Sequence, residues 1–196
     1  MDSMVKKYKQ KFRKVKEEMD QWDRIQSRLL GQFRNASSII ERLQVLREPK
    51  NYGALKTVEG IREEILAKQM YSLEFIFQSL KNTIKEFNGT VVSLEKILRD
   101  SRHLAHGASR PMTESQMQRR IGIQPSIADC IAGLKAIYEM HQSEYVLKLS
   151  IVSSLISNDP PPSASDLGAL QQLLIDQPNI PKMLSIFGII FADEIC

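Results

Sequence analysis

The sequence predicts an all-α fold: an elongated helical bundle with a long antiparallel hairpin, a third long helix and a short C-terminal helical pair. Three observations predict it. Nine glycines and eight prolines in 196 residues are fewer than average usage supplies, which favours helix. Apolar residues recur in steps of three and four over three long stretches, the helical period. No stretch shows the strict alternation of a half-buried strand.

The first element rests on Tyr8, Phe12, Val15, Met19, Trp22, Gln26, Leu29, Phe33, Ala36, Ile40 and Leu43. Only Gln26 interrupts the apolar series, and Ile25, Leu30 and Ile39 widen the stripe. Helical periodicity held for about five heptads predicts a helix from about Val5 to Leu46, roughly 60 Å long. Pro49, Asn51 and Gly53 then end it.

The second element runs through Val58, Ile61, Ile65, Gln69, Leu73, Ile76, Leu80, Ile84, Phe87, Val91, Leu94 and Leu98. Extra steps of four near Gln69 and Leu80 resemble stutters, which locally relax a supercoil. The short connection to the first helix favours an antiparallel pairing. Residues 1–102 are therefore expected to form a coiled-coil-like hairpin.

Residues 103–125 read as a loop or linker. His103, His106, Gly107, Ser109, Pro111, Gly122 and the pair Arg119-Arg120 show no period. At more than about twenty residues, such a connection suggests mobility or a binding role.

A third long helix opens with Ser126 after Pro125, and Asp129 stands where a capping-box acid belongs. Ile127, Ile131, Leu134, Tyr138, His141, Tyr145, Leu149, Val152 and Leu155 follow at helical spacing until Asn158 and three prolines stop it. A short helix from about Ser165 places Leu167, Leu170, Leu173 and Leu174 on one face. A last helix from about Pro181 is apolar nearly all round, which predicts burial in its own core or against a partner. Residues 126–196 are read as a C-terminal region packing on the hairpin.

Charge is graded along the chain. Residues 1–57 carry 14 Lys or Arg against 7 acids, and residues 126–196 carry 3 against 8. The net +4 thus joins a basic N-terminal half to an acidic end. The two cysteines, Cys130 and Cys196, make no disulfide framework and fit a reducing compartment. No apolar run follows the basic start, so no secretory signal is expected. The most apolar stretch, Met183 to Ala192, would span roughly 15 Å, half a bilayer core, so no membrane span is expected.

Catalytic signatures are sparse. Phosphate-loop, dinucleotide, serine-nucleophile, zinc-protease and paired-cysteine motifs are not found. No enzymatic activity, cofactor or metal is expected. His103 and His106 share a helical spacing but lack a nearby third ligand, and read as a polar helix end. His141 lies on an apolar stripe and reads as a hydrogen-bonded core histidine. Cys130, on the first turn of the third helix, sits where a helix dipole could lower its pKa, though a core thiol is the simpler reading.

Two candidate surfaces remain. The basic one is Lys6, Lys7, Lys9, Lys11, Arg13, Lys14 and Lys16, against Asp2 alone. It suits phosphate backbone, an import receptor, an anionic surface or plain solvent. No base-reading motif accompanies it, so a nucleic acid would be held by its backbone. The second is a helical interface drawn from Phe12, Met19, Trp22, Phe33, Ile186, Phe187, Ile190 and Phe191. A hairpin of this length outruns what the C-terminal region can cover, which favours a helical partner or a homo-oligomer. A coiled-coil tether and a phosphate-backbone binder both stay open as functions.

Trp22 in the first helix, Lys68-Gln69 in the second, Pro125 to Asp129 opening the third, and the runs Tyr145 to Ile156 and Ile186 to Glu194 resemble the AIRIM family of ribosome-maturation factors. The architecture is also similar to that of the helical protein CINP. The resemblance implies a non-catalytic subunit of a double-ring AAA+ ATPase complex, paired with a CINP-like helical protein. It implies release of shuttling factors from cytoplasmic pre-60S particles, and a role on chromatin in replisome protein turnover. It implies cytoplasmic and nuclear localisation. The Lys-rich start and the length of the 103–124 segment depart from the family pattern, so no role is carried over to them.

Overall fold

The computed structural model describes residues 2–107, 112–120, 125–157 and 162–181. They form five α-helices and one 3-10 segment: α1 (Asp2–Arg47), the 3-10 segment (Pro49–Thr57), α2 (Ile61–His106), α3 (Glu114–Gln118), α4 (Ile127–Ser157) and α5 (Ala164–Asp176). There is no strand among the described residues. The all-α expectation holds. The apolar helix expected from Pro181 lies almost wholly outside the described residues.

The helix ends show why the boundaries fall where they do. The C-terminal carbonyls of α1 would be orphaned, and three side chains donate to them. Asn51 Nδ2 reaches the Val45 carbonyl at 2.7 Å, the Tyr52 hydroxyl reaches Leu46 at 2.8 Å, and Arg62 Nη2 reaches Arg47 at 2.7 Å. The expected start of α2 at Val58 moves to Ile61, because Gly60 takes φ +75°, a conformation a helix cannot hold.

Beyond Leu98, α2 runs past the expected boundary at 102 to His106. It ends where the Gly107 N–H donates to the His103 carbonyl at 2.7 Å. A Cβ at position 107 would come within 2.7 Å of that oxygen, so only glycine closes this turn. The segment read as an aperiodic loop also contains a helical turn, α3. Thr113 and Gln116 cap it reciprocally.

The cap of α4 is as the sequence indicated. The Asp129 N–H donates to Ser126 Oγ and the Ser126 N–H donates to Asp129 Oδ2, both at 3.1 Å. A similar pair, Ser163 with Asp166, opens α5, one residue before the expected start. Along α4 the single apolar stripe proves too narrow. Ile137, Glu144, Lys148 and Ile151 are also buried, while Leu149 is exposed. More than one face of this helix is covered.

The described residues divide into two compact units. One draws on Met1–Asp23, Phe87–Val146 and Gln177–Cys196, the other on Arg24–Glu86 and Leu147–Asp176. The division cuts across α1, α2 and α4 rather than following the linker.

In the first unit, Tyr8, Phe12, Val15, Leu94, Ile97, Leu98, Ile127, Cys130, Leu134 and Ile137 form the core, with Met4, Met19, Met112 and Met117 packed against it. Trp22 meets Phe87 and His141 edge-on, with centroids 4.5 and 4.7 Å away. Its indole N–H donates to Gln177 Oε1 at 2.9 Å.

In the second unit, Ile25, Leu29, Phe33, Ile40, Leu80, Ile84, Leu155, Leu167 and Leu174 are buried. Gln26, the one polar member of the α1 stripe, donates to the Leu174 carbonyl at 2.6 Å and so satisfies the end of α5. In each unit α1 and α2 pair antiparallel. Tyr8 donates to the Ser101 carbonyl in one unit. In the other, Gln32 bonds Ser79 and Thr83 and Arg28 pairs with Glu86.

Candidate functional site

The basic α1 residues divide by face. Lys7, Lys11 and Lys14 stand at i, i+4 and i+7, one side of a helix. The antiparallel register of the first unit sets them opposite the end of α2. Together with Gln10 they line a groove of about 480 Å³, whose other wall is Asp100, His103 and Leu104. Lys11 Nζ lies 3.0 Å from Asp100 Oδ2. The hydrogen bond from Lys11, followed by the charges of Lys11, Lys96 and Arg99, holds the Asp100 carboxyl below the usual carboxylate range. Among the described residues, Asp100 is the only acid lining this groove.

Lys7 and Lys14 are exposed and have no ion pair among the described residues. Lys6, Lys9, Arg13 and Lys16 are exposed and lie outside the groove lining. The groove is therefore a shallow cationic channel with two open ammonium groups and one apolar contact, Leu104. It can hold an anionic chain by its phosphates.

The predicted helical interface is corrected for its described members. Phe12, Trp22 and Phe33 are core residues, and Met19 is half-buried against the same core. They pack within this chain because α2 and α4 supply the facing surfaces. Ile186, Phe187, Ile190 and Phe191 lie outside the described residues. Exposed apolar side chains lie elsewhere: Tyr71 at 76% and Phe75 at 72%, both on α2, are the most exposed, and Val45, Leu55, Met70 and Val92 are also exposed. The signal of Tyr71 and Phe75 in the sequence was their place off the Leu73–Leu80 stripe.

Of the candidate chemical residues, His141 and Cys130 lie in the core. His141 is buried and its Nδ1 donates to the Ile137 carbonyl at 2.8 Å. Burial, then the Asp129 charge, pushes the Cys130 thiol up to about 11, the reverse of the lowering that a helix dipole would give. His103 and His106 are exposed on the last turn of α2. Among the described residues no group of three or more His, Cys, Asp or Glu could hold a metal ion. No described helix is long and apolar enough to cross a membrane.

A family model described as CA109-like, ribosome biogenesis protein C1orf109-like, matches residues 2–195. The chain belongs to that family. The AIRIM resemblance in Trp22, Lys68-Gln69 and the Pro125–Asp129 cap is to the same family, and ribosome biogenesis is the process it serves. The match begins at residue 2, so it takes in the Lys-rich start of α1 that the resemblance had left aside. No curated protein matches the chain.

Proposed function

We propose that the chain is a non-catalytic adaptor subunit of a AAA+ ATPase complex. In this reading it promotes maturation of cytoplasmic pre-60S particles by helping the ATPase release shuttling factors. A second small helical protein, similar to CINP, is its partner. The same assembly acts on chromatin in replisome protein turnover, and the chain is both cytoplasmic and nuclear.

Membership of a ribosome-biogenesis family supports the process. The observation that carries the adaptor's contact with the particle is the groove between α1 and α2. Lys7 and Lys14 present unneutralised charge on either side of the Lys11–Asp100 pair. A pre-ribosomal particle offers phosphate backbone in abundance, and such contacts position a protein without reading sequence.

Affinity purification of the tagged chain from growing cells tests this reading. It should recover a AAA+ ATPase, a second small helical protein and pre-60S proteins. Recovery of neither the ATPase nor a helical partner would sink the proposal.

A further inference from the structure

Gln177 follows the last residue of α5 and holds φ +44°. It is the only non-glycine residue at positive φ among the described residues. Left-handed backbone crowds Cβ against the following carbonyl, so residues other than glycine, asparagine and aspartate rarely adopt it. The next residue is Pro178, and a proline ring pushes the residue before it towards extended backbone. Gln177 is thus held in a conformation that its own Cβ and its neighbour both oppose.

Strain of this kind persists only where the surrounding contacts over-determine it. Three sets of contacts do so here. The Trp22 indole N–H donates to Gln177 Oε1 at 2.9 Å. The Ile180 N–H donates to the Gln177 carbonyl at 2.9 Å, closing a turn with Pro178 at the position that suits proline. The Asn179 N–H and its Nδ2 both donate to Glu144 Oε2, each at 3.1 Å. Glu144 is fully buried, so the turn is received by a carboxylate that has left water. Trp22, Glu144 and residues 177–181 all belong to one of the two units.

The forces on this turn are therefore opposed. Polar bonds to Glu144 and Trp22 hold it shut, and backbone strain at Gln177 pushes it open. Apolar burial adds little, because no residue from 177 to 181 is buried. Segments held in this way open at a lower cost than the core they touch.

We infer that residues 177–180 form a strained latch, closed on Glu144 and Trp22 in this structure, which opens as a unit while the helices stay folded. It is the last described turn before the apolar run Met183 to Ala192 of the sequence, so opening frees the direction in which the chain continues. This goes beyond the adaptor reading and does not depend on it.

Amide hydrogen exchange of the full chain, followed by NMR, tests the latch. The Asn179 and Ile180 amides both bond within the closed latch, and amides of α4 from Leu134 to His141 report on the fold in the same spectra. In the wild type the two latch amides should be protected, but at least about a hundredfold less than those of α4. Gln177→Gly and Gln177→Ala both remove the bond to Trp22 and differ in their tolerance of positive φ. The glycine variant should be protected about fivefold more than the alanine variant, although its looser open chain alone would make it less protected. Asn179→Ala should lower Ile180 protection about tenfold and leave α4 unchanged. Latch amides as protected as those of α4 would show that nothing opens separately, and latch amides with no protection would show that nothing is closed. Either result overturns the inference. So does a glycine variant no better protected than alanine, which would mean no strain, or an Asn179→Ala variant with Ile180 unchanged, which would remove Glu144 from the latch.

Discussion

Lys11 Nζ and Asp100 Oδ2 meet at 3.0 Å across the groove between α1 and α2. The pair joins residues 89 positions apart and neutralises the middle of a basic row, leaving Lys7 and Lys14 open on either side.

That arrangement fixes how the groove should respond to charge. Lys7→Ala and Lys14→Ala should each weaken binding to single-stranded RNA and reduce the salt slope by about 0.7. Asp100→Asn should do the opposite in affinity, because it frees Lys11. Fluorescence anisotropy across a salt series reads all three. A slope unchanged by both lysine substitutions would remove the groove from RNA contact.

Trp22 anchors the first unit through Phe87, His141 and Gln177. Trp22→Ala should destabilise the fold by about 3–5 kcal/mol, the range for deleting a buried aromatic. Gln177→Ala leaves the indole N–H without this acceptor and should cost about 1–3 kcal/mol. Urea denaturation of both variants measures the difference.

Ser126 and Asp129 cap α4 reciprocally. Ser126→Ala should cost about 1 kcal/mol. The Asp129 carboxyl is held below its usual value of 3.8, first by the Ser126 hydroxyl and then by its backbone N–H. A depressed carboxyl stabilises the fold above its unfolded value, and this is lost as pH falls through the folded value. The stability difference between wild type and Ser126→Ala should therefore be constant above about pH 5 and shrink below about pH 4. An NMR titration should show the Asp129 midpoint rising in the variant.

Cys130 is buried, and its thiol is pushed up to about 11, first by burial and then by Asp129. In a Cys196→Ser background it should resist aromatic disulfide reagents at pH 8 and react on addition of denaturant. Rapid reaction in the native protein would show that the first turn of α4 opens readily.

Much of this was legible in the sequence for a physical reason. A buried helix face repeats every three or four residues, so the stripes of α1 and α2 could be read directly. The Ser126–Asp129 cap is local and equally plain. What depends on register was not legible. Gln26 looked like an interruption until α5 placed the Leu174 carbonyl beside it. Asp100, His103 and Leu104 joined the basic row only because α2 runs antiparallel to α1 at that height. Phe12, Trp22 and Phe33 looked available for a partner, because a stripe does not say which chain covers it. Tyr71 and Phe75 were passed over because pattern reading follows the core face.

The adaptor reading is tested most directly by quantitative mass spectrometry of purifications from growing cells, comparing wild type with Lys7→Glu/Lys14→Glu. The wild type should bring down a AAA+ ATPase, a small helical partner and pre-60S proteins. The variant should keep the first two and lose most of the third. Wild-type purifications that contain no AAA+ ATPase would contradict the account.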